Sequence, residues 1–248
     1  MAKTALSFVP TADKRPIMAR ESFARRALRW IVRALIIFVI GSVIWVGIYR
    51  FVPPPVTTTM IVNAFDGRGI AKDWMSIDTM SPNMPLAAIA AEDGNFCSHH
   101  GFDFKAIQKA MESNFQGDRR IRGGSTISQQ TAKNAFLWQN GGYVRKAFEA
   151  WFTVLIELLW PKKRIMEVYL NIAETGIGTY GANAGAMRYF HHDASRLSRA
   201  EAARIAAVLP LPKKREAISP TGFTRRYGDR IARRMGQVQR YGQDGCLK

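Results

Sequence analysis

Three short stretches hold the side chains best suited to chemistry. "EDGNFCSHHGFDF", from Glu92 to Phe104, packs three carboxylates and two adjacent histidines into thirteen positions. "GGSTISQQTAKN", from Gly123 to Asn134, sets hydroxyls, amides and Lys133 behind a glycine pair. "RKAFE" places Arg145 and Lys146 four and three residues before Glu149. A metal site fits the first stretch poorly. HExxH is absent, the histidines are adjacent instead of at helical spacing, and His191 and His192 lie far along the chain. Carboxylate chemistry fits better, because glycosyl transfer and hydrolysis both use a carboxylate to handle the nucleophile. Glu92 is the candidate, although a single helix-end acid is as readily a solvated or paired surface group.

The third stretch taken alone is a helix ion pair worth ~0.3–0.5 kcal/mol. Its position says more. It follows Gly141 and Gly142 at the start of a long apolar helix, where free N–H groups already favour anions. Lys133 supplies another cation, Ser125 and Thr126 supply hydroxyls, and the glycines at 123 and 124 allow close backbone approach. The GxxxxGK[ST] spacing is missing, so this is not a Walker loop. Spacing alone leaves an anion site and a surface ion pair both open.

The elements that carry these residues are helices. "PLAAIAAEDG" opens with Pro85 and stops at Gly94, leaving Glu92 and Asp93 at a C-terminal end, against the helix dipole. "DFKAIQKAMESNFQG" is amphipathic and closes at Gly117. Thr126 and Gln129 have capping-box spacing, and so do Ser198 and Glu201. "YVRKAFEAWFTVLIELLW" has a strong 3.6-residue apolar period, and Pro161 opens the helix after it. No run of alternating strands or internal repeat is evident. The expected fold is mainly α.

The 248 residues suffice for one sizeable domain and a short appendage. The net charge of +17 and pI of about 10.4 call for a polyanionic neighbour. "RWIVRALIIFVIGSVIWVGIYRF" reads as a membrane span over 30–52, with Arg33 snorkelling. A signal peptide is a poorer reading, since "VPPPV" follows where a small-residue cleavage site would stand. Eight basic residues up to and including Arg33, against Asp13 and Glu21, stand before the uncharged run that begins at Ala34, so the positive-inside rule keeps the N-terminus cytoplasmic. The expected organisation is a basic tail over 1–29, the span over 30–52, a linker leading into the domain over 53–80, and a catalytic domain over 81–248. The part beyond Arg33 still carries about +11. A nucleic-acid partner is disfavoured by the span and by the lack of aromatic-interleaved basic runs. Cys97 and Cys246 lack metal-type spacing and read as two unpaired thiols.

"EDGNFCSHHGFD", "GGSTISQQTAKN", "RKAFEAWFTVLIE" and "KKRIMEVYLNIAE" together resemble the ordered motifs of the peptidoglycan glycosyltransferase family. The resemblance runs from roughly Ser81 to Pro220, and "YGANAGAMRYF" and "LSRAEAARIAAVLPLP" resemble its later blocks. Ser128, Thr131 and the "HHD" after Phe190 depart from the family's usual residues, none at a charged motif position. S-x-x-K and K-T-G elements are absent, so the chain looks like the monofunctional type without a transpeptidase.

The resemblance implies a lysozyme-like glycosyltransferase domain behind one transmembrane helix, in the bacterial inner membrane with the catalytic domain periplasmic. It implies polymerisation of lipid II into glycan strands by inverting transfer, with release of undecaprenyl pyrophosphate. Glu92 would be the base, with Asp93, Phe96 and His99 around the acceptor. Lys133, Arg145 and Lys146 would receive the diphosphate, with Glu149 as the second catalytic glutamate. Ser125, Thr126, Gln129, Gln130 and Asn134 would hydrogen-bond sugar and phosphate, while Glu167 and Asn171 buttress the site. No cofactor is certain, although a divalent cation, Mg or Mn, is compatible with the diphosphate. Lipid II, the growing strand and membrane lipids are the expected partners, and other cell-wall synthesis or division proteins are further candidates. The alternative is a membrane-anchored muramidase, which would have no diphosphate to neutralise.

Overall fold

The computed structural model describes residues 23–115 and 124–248. The tail over 1–22 and most of the basic loop "DRRIRGG", with Gly117, lie outside them. The chain forms two units, residues 1–41 and Ser42–Lys248. In the first unit the described residues are helical and mostly exposed and apolar, including Trp30, Ile31, Leu35 and Ile37. They belong to α1 (Phe23–Phe51), which is long and apolar enough to cross a membrane.

The last turns of α1 belong to the second unit and are built into its core. Trp160 donates its indole N–H to the Val46 carbonyl at 2.8 Å, and Trp151 donates to Ser42 Oγ at 3.1 Å. Arg164 reaches the Tyr49 and Val52 carbonyls, satisfying acceptors that a helix end leaves open. Trp45 packs edge-on to Phe136, and Phe136 stacks on Phe152 at 4.7 Å. The segment 53–80 then holds α2 (Thr58–Phe65), capped by Thr57, and β1 (Ala71–Lys72).

Two helix groups make the rest. The first is α3 (Asn83–Glu92), α9 (Arg199–Val208) and α10 (Gly222–Arg240), which pack on one another. Its inner faces are alanine-rich, with Ala87, Ala88, Ala90, Ala202, Ala203 and Ala206 buried, so the backbones approach closely. The second is α5 (Ile127–Phe136), α6 (Gly142–Leu159) and α7 (Lys162–Ile172), with α5 against both others. α4 (Phe104–Phe115) and α8 (Ala182–Phe190) complete the helices.

Both expected capping boxes form, at Thr126–Gln129 and Ser198–Glu201. Strands, unseen in the sequence, also form. β2 (Glu174–Gly176) and β3 (Thr179–Tyr180) pair antiparallel, and β1 adds parallel to β3 in the order β1-β3-β2. Segments of two or three residues carry no alternation to read, which is why periodicity missed them. Asn171, fully buried, exchanges hydrogen bonds with the Met75 backbone and ties α7 to this region.

The cysteines overturn the expectation of free thiols. Cys97 and Cys246 form a disulfide across 149 positions, with Cα atoms 5.4 Å apart. Sequence spacing could not show this, because only the fold brings the two ends together. The bond also fastens the C-terminal residues to the domain.

Candidate active site

Glu92 ends α3, a helix whose preceding residues are almost wholly buried. Its Oε2 accepts a hydrogen bond from Gln130 Nε2 at 2.9 Å. Its Oε1 is buried with no hydrogen-bond partner among the described residues. Burial raises the Glu92 pKa. The Gln130 hydrogen bond and the charges of Arg215 and Lys133 oppose that rise, while Asp93 adds to it. A half-satisfied buried carboxylate that holds its proton more tightly suits a proton acceptor.

The residues after Glu92 brace it. Asp93 accepts from the Ile127 N–H at 2.9 Å, an anion at the start of α5 where the helix dipole favours it. His99 donates from Nε2 to the same carboxylate at 3.0 Å, its Nδ1 accepting from the Gly101 N–H. This pair pins the loop to α5. Phe96, expected beside the acceptor, is fully buried under the Lys162 ammonium, so it supports the loop and cannot touch a substrate.

On α5 the residues divide by face. The Thr126 hydroxyl caps the helix and donates to the Gly101 carbonyl at 2.7 Å, and Gln129 is buried in the capping box. Gln129 is thereby committed to structure, against the expectation of ligand contacts, while Thr126 also borders the cavity that contains Glu92. Gln130, Lys133 and Asn134, at i, i+3 and i+4, form the face that lines a cavity. Burial lowers the Lys133 pKa. Glu149 raises it, Arg145 and Lys146 lower it, and Glu92 raises it. Lys133 thus feels both glutamates. Gly124 packs closely on α4, where a Cβ would stand 3.2 Å from Ile107 Cα, and also borders the cavity that contains Glu92.

Glu149 is buried and doubly paired. Arg145 Nη1 lies 2.6 Å from its Oε2, and Lys146 donates to its Oε1. Gly141, at φ 140°, makes this start of α6, because a Cβ there would collide with Trp138 and Arg145 Cβ. With both oxygens of Glu149 engaged by cations, that carboxylate offers no ligand set for Mg or Mn. No cluster of three His, Cys, Asp or Glu side chains occurs among the described residues.

Two cavities flank the Glu92–Gln130 hydrogen bond. One, about 390 Å³, is lined by Glu92, Ser125 and the α10 side chains Arg234 and Gln237. The other, about 440 Å³, is lined by Gln130, Lys133, Asn134, Tyr169, Lys213 and Lys214. The first combines the carboxylates of Glu92, Asp93 and Asp103 with amides, hydroxyls and Arg234, while the second gathers three lysines around Gln130 and Asn134. Arg215, Lys213, Arg234 and Gln237 escaped the sequence reading. The chain's basic composition was the only signal for the three cations, and Gln237 had none.

The chain matches the Transglycosylase family over residues 59–236. A biosynthetic peptidoglycan transglycosylase of Caulobacter vibrioides is 53% identical over 226 residues, covering 91% of this chain and 98% of the relative. One of Xanthomonas campestris pv. campestris (strain B100) is 46% identical over 91% of this chain and 93% of its own length. One of Bdellovibrio bacteriovorus is 44% identical over 82% and 85%. With the family match covering most of its length and its relatives matched nearly end to end, this chain belongs to the transglycosylase family.

Proposed function

We propose that the protein polymerises lipid II into peptidoglycan glycan strands by inverting glycosyl transfer. The 4-hydroxyl of the acceptor's N-acetylglucosamine attacks the anomeric carbon of the donor's N-acetylmuramic acid. The new O–C bond forms as the bond to the diphosphate breaks, and that electron pair leaves with undecaprenyl pyrophosphate. Glu92 takes the hydroxyl proton and later releases it to solvent. The diphosphate departs as a stable anion, so cations serve it better than a general acid. Lys133, Arg145 and Lys146 fill that role, with Arg145 shaped to grip two oxygens. Glu149 holds Arg145 and Lys146 in place and carries no proton step.

The observation that supports this most is electrostatic continuity. Lys133 lies within the field of both Glu92 and Glu149, so base and cations serve one reaction centre. The apolar α1 supports a single-pass anchor, with the N-terminus cytoplasmic and the catalytic domain outside the inner membrane, where a lipid-linked substrate is met in two dimensions. The basic surface suits anionic headgroups and a diphosphate.

The full chain in detergent, given labelled lipid II, should yield glycan polymer, and Glu92→Gln should abolish it while lipid II still binds. Lipid II consumption by that variant at the parental rate would overturn the assignment. Cleavage of preformed glycan without polymer formation would favour a muramidase instead.

A further inference from the structure

The C-terminal helix has no part in the chemistry above, yet it forms a wall of the cavity that contains Glu92. On α10, Ile231, Met235 and Val238 are buried and fix the helix on the domain. The adjacent stripe of Arg234, Gln237 and Tyr241, at i, i+3 and i+7, faces the cavity. All three are exposed and open to a ligand. We propose that this stripe recognises the acceptor saccharide, and that the Cys97–Cys246 disulfide holds it in register with Glu92. The inference rests on the glycosyl-transfer reading above and identifies the acceptor-specificity residues of that site.

Three observations carry it. The lining is chemically suited to a sugar: Gln237, Gln243, Asn95 and Ser125 present amides and a hydroxyl, Glu92 and Asp103 present carboxylates that accept from sugar hydroxyls, and Tyr241 adds an aromatic side chain. The lysines line the other cavity, where a diphosphate belongs. Among the described residues Arg234 is the one cation lining this cavity, and no carboxylate pairs with it. It is therefore placed to take an acidic substituent, such as a carboxylate on the peptide arm of the acceptor.

The helix is also tied to the base from both ends. Tyr227 donates its hydroxyl to the Ala91 carbonyl at 3.1 Å, one residue before Glu92. Arg234 Nη2 stands 3.6 Å from where a Cβ on Gly94 would lie, two residues after it. Past Tyr241 the chain turns back, and Cys246 bonds to Cys97 in the loop that leads away from Glu92. The Cys246 N–H also donates to Cys97 Sγ at 3.3 Å. The disulfide thus joins the free end of the recognition wall to the loop that follows the base.

The test separates the two substrates. Lipid II with its 4-hydroxyl blocked serves only as donor, and a disaccharide-peptide methyl glycoside serves only as acceptor. With both supplied to the full chain, single-turn product formation gives a KM for each. Arg234→Ala should raise the acceptor KM about tenfold or more, the scale of one charge-assisted hydrogen bond, with the donor KM within twofold. Arg234→Lys should recover part of that loss. The double variant Cys97→Ser/Cys246→Ser should also raise the acceptor KM more than the donor KM. Should it fail to fold, Gln237→Ala takes its place, with a smaller rise in acceptor KM expected. Acceptor KM within twofold of the parent in these variants, or equal rises for both substrates, would overturn the inference. Absence of any product from the parent protein would instead count against the glycosyl-transfer reading.

Discussion

The end of α3 and the start of α6 each present a glutamate beside the same lysine, and they treat it in opposite ways. Glu149 is buried and held by two cations on its own helix, and both its oxygens are engaged. Glu92 has one oxygen bonded to a neutral amide and the other buried without a partner among the described residues. A carboxylate stabilised as an anion by adjacent cations is a scaffold for those cations. A carboxylate denied such pairing is ready to accept a proton. Pairing, more than residue type, separates the roles of the two.

The sharpest test of that contrast is Glu92→Gln. Loss of a general base should lower polymerisation about 10²–10⁴-fold, read from labelled lipid II. The same change should stabilise the fold. A raised folded-state pKa contributes stability below the unfolded value, near 4.3 for a glutamate, and that contribution is lost as pH rises through the folded value. At neutral pH the ionised Glu92 is therefore a burden. Its amide analogue should melt a few degrees higher, consistent with about 1 kcal/mol, and the gain should vanish near pH 4. An unchanged or lower melting temperature at neutral pH would contradict the buried, half-paired carboxylate.

Next in size is the cation side. Arg145→Ala should cost about 10²-fold in turnover, and should weaken donor use more than acceptor binding. Equal loss of both would blur the proposed division. Glu149→Gln should act through stability first. Removing the anion leaves Arg145 and Lys146 facing one another, for about 1–2 kcal/mol and a melting temperature roughly 2–8 °C lower, discounted because Lys146 is nearly half exposed. Its activity loss should be smaller than that of Glu92→Gln.

The mildest effects concern pH. Burial raises the Glu92 pKa and lowers that of Lys133. Activity should fall on the acid side as Glu92 protonates and on the basic side as Lys133 loses its charge, giving a bell. Gln130→Ala removes a hydrogen bond that lowers the Glu92 pKa, so its acid limb should move to higher pH. A limb that stays in place would show that Gln130 does not tune the base.

Most helices were legible because each announces itself locally. Thr126–Gln129 and Ser198–Glu201 are capping boxes readable at three-residue spacing, and α6 carries a long apolar period. The Arg145–Lys146–Glu149 cluster was legible for the same reason, since i,i+3 and i,i+4 neighbours must meet on one helix. Asp93 with His99, and Glu92 with Gln130, gave no such sign, because the first is a loop-borne brace and the second crosses 38 positions. Phe96 was misplaced because a motif aromatic gives no clue to whether it faces a ligand or the core.

Local chemistry was thus written along the chain: the helices and their caps, the apolar segment of α1, the acid at the end of α3 and the cations at the start of α6. Periodicity and nearest-neighbour electrostatics suffice for these. Burial and long-range partnership were not. That Glu92 is half-paired, that α1 ends inside the core and that Cys246 closes on Cys97 from 149 positions away all depend on how the helix groups pack. A pKa shift, a docked helix end and a disulfide each require groups distant in sequence to share one place, and only folding supplies that proximity.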